Sequence, residues 1–399
     1  MKILYITQFL PYPLDNGGAI KTYQTLKILS QKHKVYLFCF LESKERKKDH
    51  KILEKKLKIE VKTVVSRLPL VEFREIKKDI LKSLFSWLPF IVYRYKNRKM
   101  ARQVNKRIEK GIDAIHIDHL NLASYLPGKK NCLWVLEEHN IESEFNLRIF
   151  KKESFNKFKI FSFLEMVKTY LYEKIIVSRF DYWLAISKID KEKLIKRGAK
   201  QEKTFFLPVS FKTKSLFSFK KERFNIFFVG DLAWWPNKDG VLWFIKEVFP
   251  LIKKKISKVQ FFLMGRRAGE VIKKLASLDS QIKLLGPVKN LNHFLKEASC
   301  FVIPLRGGGG VKIKVLTSLA SGIPVVSTTI GVEGIEIKDS HEVVLANKPM
   351  DFAEAVVSVL KSKDLAESLS KTGLDFIKKN YHEEKAKAVL DSVYNNLAM

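Results

Sequence analysis

Long apolar runs are absent. No stretch approaches the roughly twenty consecutive apolar residues that a membrane-spanning helix needs, so none is expected to cross a bilayer. Cysteine is scarce: Cys39, Cys132 and Cys300 are odd in number, scattered and without metal-binding spacing, which suits buried thiols in a reducing compartment. Acidic residues are outnumbered, 42 against 74 Lys and Arg, giving a formal net charge of +32. No Gly-Lys-Ser/Thr follows the chain's main glycine run, which excludes a Walker loop, and Gly-x-Gly-x-x-Gly with an acidic partner after the next strand is missing too. Zinc-finger spacing, an RNP-like aromatic strand and a helix-turn-helix are also lacking, so the basic excess is not expected to serve nucleic acid. The opening Met1 to Thr7 has too short an apolar run and no small-residue cleavage site for a signal peptide, and reads as a strand.

With 46% hydrophobic and 29% charged residues, the 399-residue chain has the composition of a globular protein long enough for two or three domains. Its most informative stretch runs from Phe301 to Gly334. Cys300 to Leu305 is an apolar strand. Gly307 to Gly310 form a loop without side chains, Val311 to Ala320 a short helix ended by Gly322 and Pro324, and Pro324 to Thr328 the next strand. A glycine loop feeding a helix start aims unpaired backbone N–H groups and a positive dipole end at one point, and Arg306, Lys312 and Lys314 add cations beside it. The pattern suits a diphosphate; on spacing alone, a tight turn with solvated lysines fits equally well.

The chain opens with the same rhythm. Lys2 to Gln8 is a strand, Pro11 to Gly18 a turn-rich loop, Ala19 to Gln31 a helix with Ile20, Tyr23, Leu26 and Leu29 on its apolar stripe, and Val35 to Phe40 a strand. This is a parallel crossover unit, with Gly17 and Gly18 where open α/β sheets bind ligands. Asp118-His119 and Glu137-Glu138-His139-Asn140 stand at the ends of two further strands, a cluster of active-site type, although a lone His139 would read as a structural hydrogen-bonding residue. Between them, about 68–108 interleaves Phe73, Phe85, Trp87, Phe90 and Tyr93 with Lys and Arg. That pattern is expected of a helical insertion on an anionic membrane surface, or of one that buries its aromatics in the core. Asn225 to Gly230 starts a second α/β unit. The fold expected is therefore α/β, two doubly wound halves: 1–210, 222–378, and a final helix at 379–399 crossing back to the first.

These motifs, in this order, resemble the GT-B-fold glycosyltransferases of family 4. The resemblance covers nearly the full length: Pro11-Tyr-Pro13 with Asp15 to Gly18; Glu138 to Ser143; Tyr172-Glu173; Ala185-Ile-Ser187; Phe228-Val-Gly230 with Trp235 to Gly240; and, most specifically, Pro304 to Gly334. It implies two Rossmann-like domains facing a cleft and a retaining transfer of a sugar from a nucleotide-diphosphate donor. The acceptor would be lipid-linked or a saccharide, in cell-surface polysaccharide or glycolipid synthesis at the cytoplasmic face of the membrane. It implies donor contacts from Gly17, Gly18, Asn237, Arg306, Gly308, Gly309, Gly310, Lys312, Lys314, Thr317, Glu333 and Gly334. It also implies catalytic placement of His139 and Asn140, with no metal and no cofactor beyond the donor substrate. Thr317 and Gly309 stand where the family usually carries glutamates, and a non-catalytic scaffold on the same fold is the alternative reading.

Overall fold

The computed structural model describes residues 1–41, 43, 46–65, 79–80, 82–152, 157–288 and 291–395. Among these the chain forms two units: Met1–Val209 with Glu384–Met399, and Ser210–Glu383.

The first unit is built on a seven-stranded parallel sheet in the order β3-β2-β1-β4-β5-β6-β7. Its strands are β1 (Lys2–Thr7), β2 (Lys34–Leu41), β3 (Glu60–Val65), β4 (Ala114–Asp118), β5 (Leu133–Glu138), β6 (Tyr182–Ala185) and β7 (Thr204–Phe206). The central strands β1 and β2 are near-continuous apolar runs buried on both faces, as helices covering both sides of a parallel sheet require, and β4 is as fully buried while carrying His116 and Asp118. The helices here are α1 (Gly17–Lys32), α2 (Lys47–Leu57), α3 (Phe90–Arg94), α4 (Arg98–Glu109), α5 (Glu142–Lys152), α6 (Lys157–Val177) and α7 (Lys188–Lys196). One core layer gathers Ile3, Tyr5, Leu26 and Leu37 with Leu390, Val393 and Tyr394 of the C-terminal helix; the other gathers Leu4, Ile6, Trp134 and Trp183.

The second unit repeats the plan with β8 (Asn225–Val229), β9 (Gln260–Met264), β10 (Ile282–Gly286), β11 (Cys300–Ile303), β12 (Val325–Ser327) and β13 (Val344–Leu345), in the order β10-β9-β8-β11-β12-β13. Its helices are α8 (Trp235–Trp243), continued through a π-helical turn at Phe244–Val248 into α9 (Phe249–Lys255), then α10 (Glu270–Leu278), α11 (Leu291–Leu295), α12 (Ile313–Ala320), α13 (Pro349–Lys361) and α14 (Lys363–Asn380). The chain ends with α15 (Glu383–Asn395). The stretch between the two sheets belongs to the second unit: Lys214 and Leu216 donate backbone hydrogen bonds to Ala320 and Ser321, both at 2.9 Å.

Three local expectations change. Gly17 and Gly18 form the first turn of α1, capped by Asn16, whose Oδ1 accepts from the Ala19 N–H at 2.9 Å. Of the expected stripe of α1, Leu26 and Leu29 are buried, but Ile20 and Tyr23 are only partly so; Lys21, Thr22 and Thr25 are buried with them, because that face meets buried carboxylates. Within 68–108, the part at 68–78 and 81 lies outside the described residues. The rest divides: Phe85 and Trp87 are exposed, while Leu88, Val92, Tyr95 and Met100 fill the core.

Candidate functional site

In each sheet the strand order reverses beside the first strand, at β1/β4 and at β8/β11. The carboxyl ends of strands at such a point leave a crevice for ligands.

In the first unit this position holds a closed ionic network. Asp118, at the end of β4, and Glu137, next to last in β5, are fully buried. Asp118 Oδ2 accepts from Thr7 Oγ1 at 2.6 Å and Thr22 Oγ1 at 2.8 Å. Its Oδ1 lies 2.9 Å from His139 Nε2 and 3.2 Å from His119 Nδ1. Glu137 Oε1 pairs with Lys21 Nζ and accepts from Thr25 Oγ1 at 3.2 Å, while its Oε2 faces His116 Nε2 at 3.0 Å. His116 Nδ1 in turn meets Tyr394 OH of α15 at 2.6 Å, which ties the C-terminal helix to the network.

The charges follow from these contacts. Burial opposes ionisation of Asp118, but His139 and His119 more than offset it and hold the carboxyl well below its usual range. Burial opposes Glu137 in the same way, and Lys21 and His116 prevail. Burial disfavours the His139 cation, yet Asp118 and Glu137 raise its pKa to about 9, so the ring is protonated at neutral pH. Neighbouring Glu138 goes the other way: burial, reinforced by Glu142, raises it well above a normal glutamate. Among the described residues, Asp118, His119 and His139 are the one set offering three metal-compatible atoms within 4.8 Å of one another.

The second unit holds a more open arrangement. Gly230 follows β8, and Gly307 to Gly310 follow β11. Gly308 (φ +105°) and Gly310 (φ +67°) adopt backbone that side chains disfavour. Lys314, in the first turn of α12, sends Nζ to Asn237 Oδ1 at 2.7 Å and over the Phe228 ring at 4.2 Å from its centre. The space exists because Gly230 has no side chain: a Cβ there would lie 2.8 Å from that Nζ. Burial, then repulsion from Lys312, lowers the Lys314 pKa to about 7. Lys312 is buried, donates to the Gly310 carbonyl at 2.8 Å and stands 3.7 Å from Glu333.

Other expected contacts are placed differently. Arg306 forms a two-point pair with Asp239 at 2.8 and 3.1 Å. Thr317 Oγ1 donates to the Ile313 carbonyl of its own helix at 2.9 Å. Gly334 (φ +83°) follows the short turn at Ile330–Val332. Gly309 lies within the glycine loop, and Asn140 is partly exposed beside His139.

Three participants escaped the sequence reading. Lys21 looked like a surface lysine, and its only signal was a run of hydroxyls, Thr22 and Thr25, on the same face. Arg266 and Arg267, at the end of β9, reach Asp231 at the end of β8. Arg267 Nε lies 3.1 Å from Asp231 Oδ1 and Arg266 Nη2 lies 3.8 Å from Oδ2. The two arginines are adjacent to Gly265 in the sequence, but their pairing with Asp231, 36 residues before Arg267, is not a local pattern.

Comparison with known proteins bears on the family and the fold. Residues 223–362 match the family described as Glycosyl transferases group 1. A Klebsiella pneumoniae relative, an uncharacterized 44.6 kDa protein in a cps region, is 27% identical over 96% of this chain and 97% of its own. An uncharacterized glycosyltransferase of Methanocaldococcus jannaschii is 29% identical over 30% of this chain and 34% of its own. Among solved structures, sucrose-phosphate synthase from Thermosynechococcus elongatus superposes with a TM-score of 0.70 at 17% identity, covering 99% of this chain and 98% of that one. Anabaena HepE in complex with UDP and glucose superposes with a TM-score of 0.67 at 13% identity, covering 99% and 100%. The fold is the GT-B fold, and residues 223–362, which hold the glycine loop and its lysines, match the group 1 glycosyltransferase family.

Proposed function

We propose that this protein is a retaining, metal-independent glycosyltransferase of family 4. It moves a sugar from a nucleotide-diphosphate sugar to a lipid-linked or saccharide acceptor in cell-surface polysaccharide or glycolipid synthesis. The observation that carries the reading is Lys314: a lysine held near neutrality beside a glycine loop, in a region that matches the group 1 glycosyltransferase family. Its Nζ meets a neutral amide, Asn237, and a diphosphate would supply the negative charge that this position favours.

The chemistry follows from charge. Breaking the bond between the anomeric carbon and the phosphate oxygen builds negative charge on the leaving diphosphate. Lys314, Lys312, Arg306 and the loop N–H groups of Gly308, Gly309 and Gly310 are assigned to stabilise it. With retention, the acceptor hydroxyl attacks from the face the diphosphate leaves, and its proton passes to the departing phosphate oxygen. Asn237, Thr317, Glu333 and Gly334 are assigned to the nucleotide and sugar hydroxyls. Gly17 and Gly18 are assigned to the donor phosphate, and His139 with Asn140 to the transferred sugar, His139 as a cation that donates a hydrogen bond. Work on a lipid-linked acceptor places the protein on the inner face of the cell membrane, a reading supported by the excess of Lys and Arg and by a relative from a cps region.

Calorimetry with a panel of uridine and guanosine diphosphate sugars tests the reading, followed by turnover assays with and without a chelator. One donor should bind and turn over in both buffers. Failure of every donor to bind would leave the non-catalytic scaffold, and loss of turnover with chelator would overturn metal independence.

A further inference from the structure

Helix α6 is inverted. Most of its buried side is polar: Ser162, Glu165, Thr169 and Glu173 face inward along with Tyr172, and only its last turn adds the apolar Ile176 and Val177 to the core. Its exposed side is an apolar stripe of Ile160, Phe163, Leu164, Val167, Leu171 and Ile175, each 37–56% exposed and recurring at three- and four-residue steps.

The orientation is pinned from within. Glu165 accepts from the Phe90 N–H at 2.5 Å and pairs with Lys168, which also donates to the Ser83 carbonyl at 2.8 Å. Glu173 accepts from the Ser143 N–H at 2.9 Å and from Arg197 Nε at 3.1 Å. Turning the stripe inward would leave these buried acids without partners, so the outward display of apolar groups is specified by the sequence. Trp87, 65% exposed, packs against α6 through Tyr172 at 5.9 Å between rings, and Phe85, 90% exposed, is two residues away in sequence.

Among the described residues the unpaired charges near the stripe are positive. Both acids of α6 point inward and the nearby Glu144 and Asp79 are paired with Arg197 and Arg94, whereas Lys174 and Arg179 are exposed at its end and Lys82 beside the Phe85 segment. A second copy docked on this face would set like charges together, whereas an anionic lipid surface complements both the cations and the apolar stripe. No helix among the described residues is long and apolar enough to cross a membrane.

We propose that α6, together with Phe85 and Trp87, is the surface by which the protein lies on an anionic leaflet, its stripe among the headgroups and upper acyl chains. This rests on the membrane reading given above, but assigns it to a helix outside 68–108 and singles out which aromatics of that insertion take part.

Flotation with vesicles of phosphatidylcholine, with and without phosphatidylglycerol, tests it on the full chain. Ile160→Ser with Leu164→Ser and Leu171→Ser is one variant and Lys174→Glu a second; thermal melting and nucleotide-sugar binding report on their folding. Wild type should float with the anionic vesicles. The triple variant should partition at least about tenfold more weakly and Lys174→Glu severalfold more weakly, both with unchanged donor affinity. Equal flotation of wild type and triple variant would overturn the assignment and leave the membrane reading standing. No flotation of wild type would overturn both. A dimer of wild type that the triple variant abolishes, without flotation, would make this face a protein interface instead and overturn the proposal.

Discussion

The two units carry the same sheet plan and opposite electrostatics at its switch point. In the first, the charges answer one another: Lys21 meets Glu137 and His139 meets Asp118, with the His116 and His119 rings beside them. In the second, Lys314 meets a neutral amide, burial lowers its pKa, and the adjoining backbone is bare glycine. Neutralisation inside the protein yields a rigid, pre-ordered wall. A cation held short of its ordinary pKa yields a place where an external anion gains most.

The contrast can be broken most strongly at Glu137. Glu137→Ala leaves Lys21 and His116 buried without their carboxylate and should destabilise the protein by about 3–5 kcal/mol in urea denaturation. If the loss stays within the range of a surface substitution, the network is not the buried support described here. Lys314→Met should do the reverse: donor affinity falls roughly 10- to 100-fold by calorimetry, while the melting temperature holds or rises because a disfavoured buried cation is gone. A drop in both would make Lys314 structural.

The pH dependence sharpens the same point. In the free protein Lys314 loses its proton near pH 7, and a bound diphosphate raises that pKa. Binding therefore takes up a proton above pH 7. Affinity should be greatest below pH 7 and weaken toward pH 9, by at most about tenfold per unit. Lys314→Met should flatten that slope. In the first unit the sign differs by group. The depressed Asp118 and Glu137 stabilise the fold above ordinary carboxylate pKa values, and this is lost on acidification through their lower folded ones. The raised His139 stabilises below about pH 6.5, and this is lost as pH rises through about 9.

Smaller effects test the finer placement. Arg306→Ala removes a cation already paired with Asp239, so donor affinity should fall less than for Lys314→Met, by under roughly tenfold in the same titration. A larger loss would mean that Arg306 leaves Asp239 for the ligand. Thr317→Glu should change stability by within about 0.5 kcal/mol, since the threonine hydroxyl donates to the Ile313 carbonyl of its own helix. Donor titration then shows whether a carboxylate there adds affinity; a gain would place that position against the donor.

Much of the second unit's site was legible because it is local. Strand, glycines, helix and strand lie within Phe301 to Gly334, and chain connectivity alone brings Gly308, Gly310, Lys312 and Lys314 together. The first unit's site was half legible. Asp118 and Glu137-Glu138-His139 stood out at strand ends, but Lys21 lies nearly a hundred residues from the nearest of them and resembles any lysine of a basic chain. The apolar stripe of α6 was hidden for a related reason. A helix with apolar residues on one side and Ser, Glu and Thr on the other reads as one burying its apolar side, and only the partners of Glu165 and Glu173 invert it.

The sequence by itself determined the parallel α/β plan, its repetition, and the glycine loop with its lysines. Each of these is a short-range pattern of periodicity, turn chemistry and spacing. Only the tertiary structure decided which charges are spent on one another and which stay available: Arg306 with Asp239, Lys21 with Glu137, and Lys314 beside Asn237. A side chain's charge and solvation depend on what surrounds it in space, and those neighbours come from segments far apart in the chain.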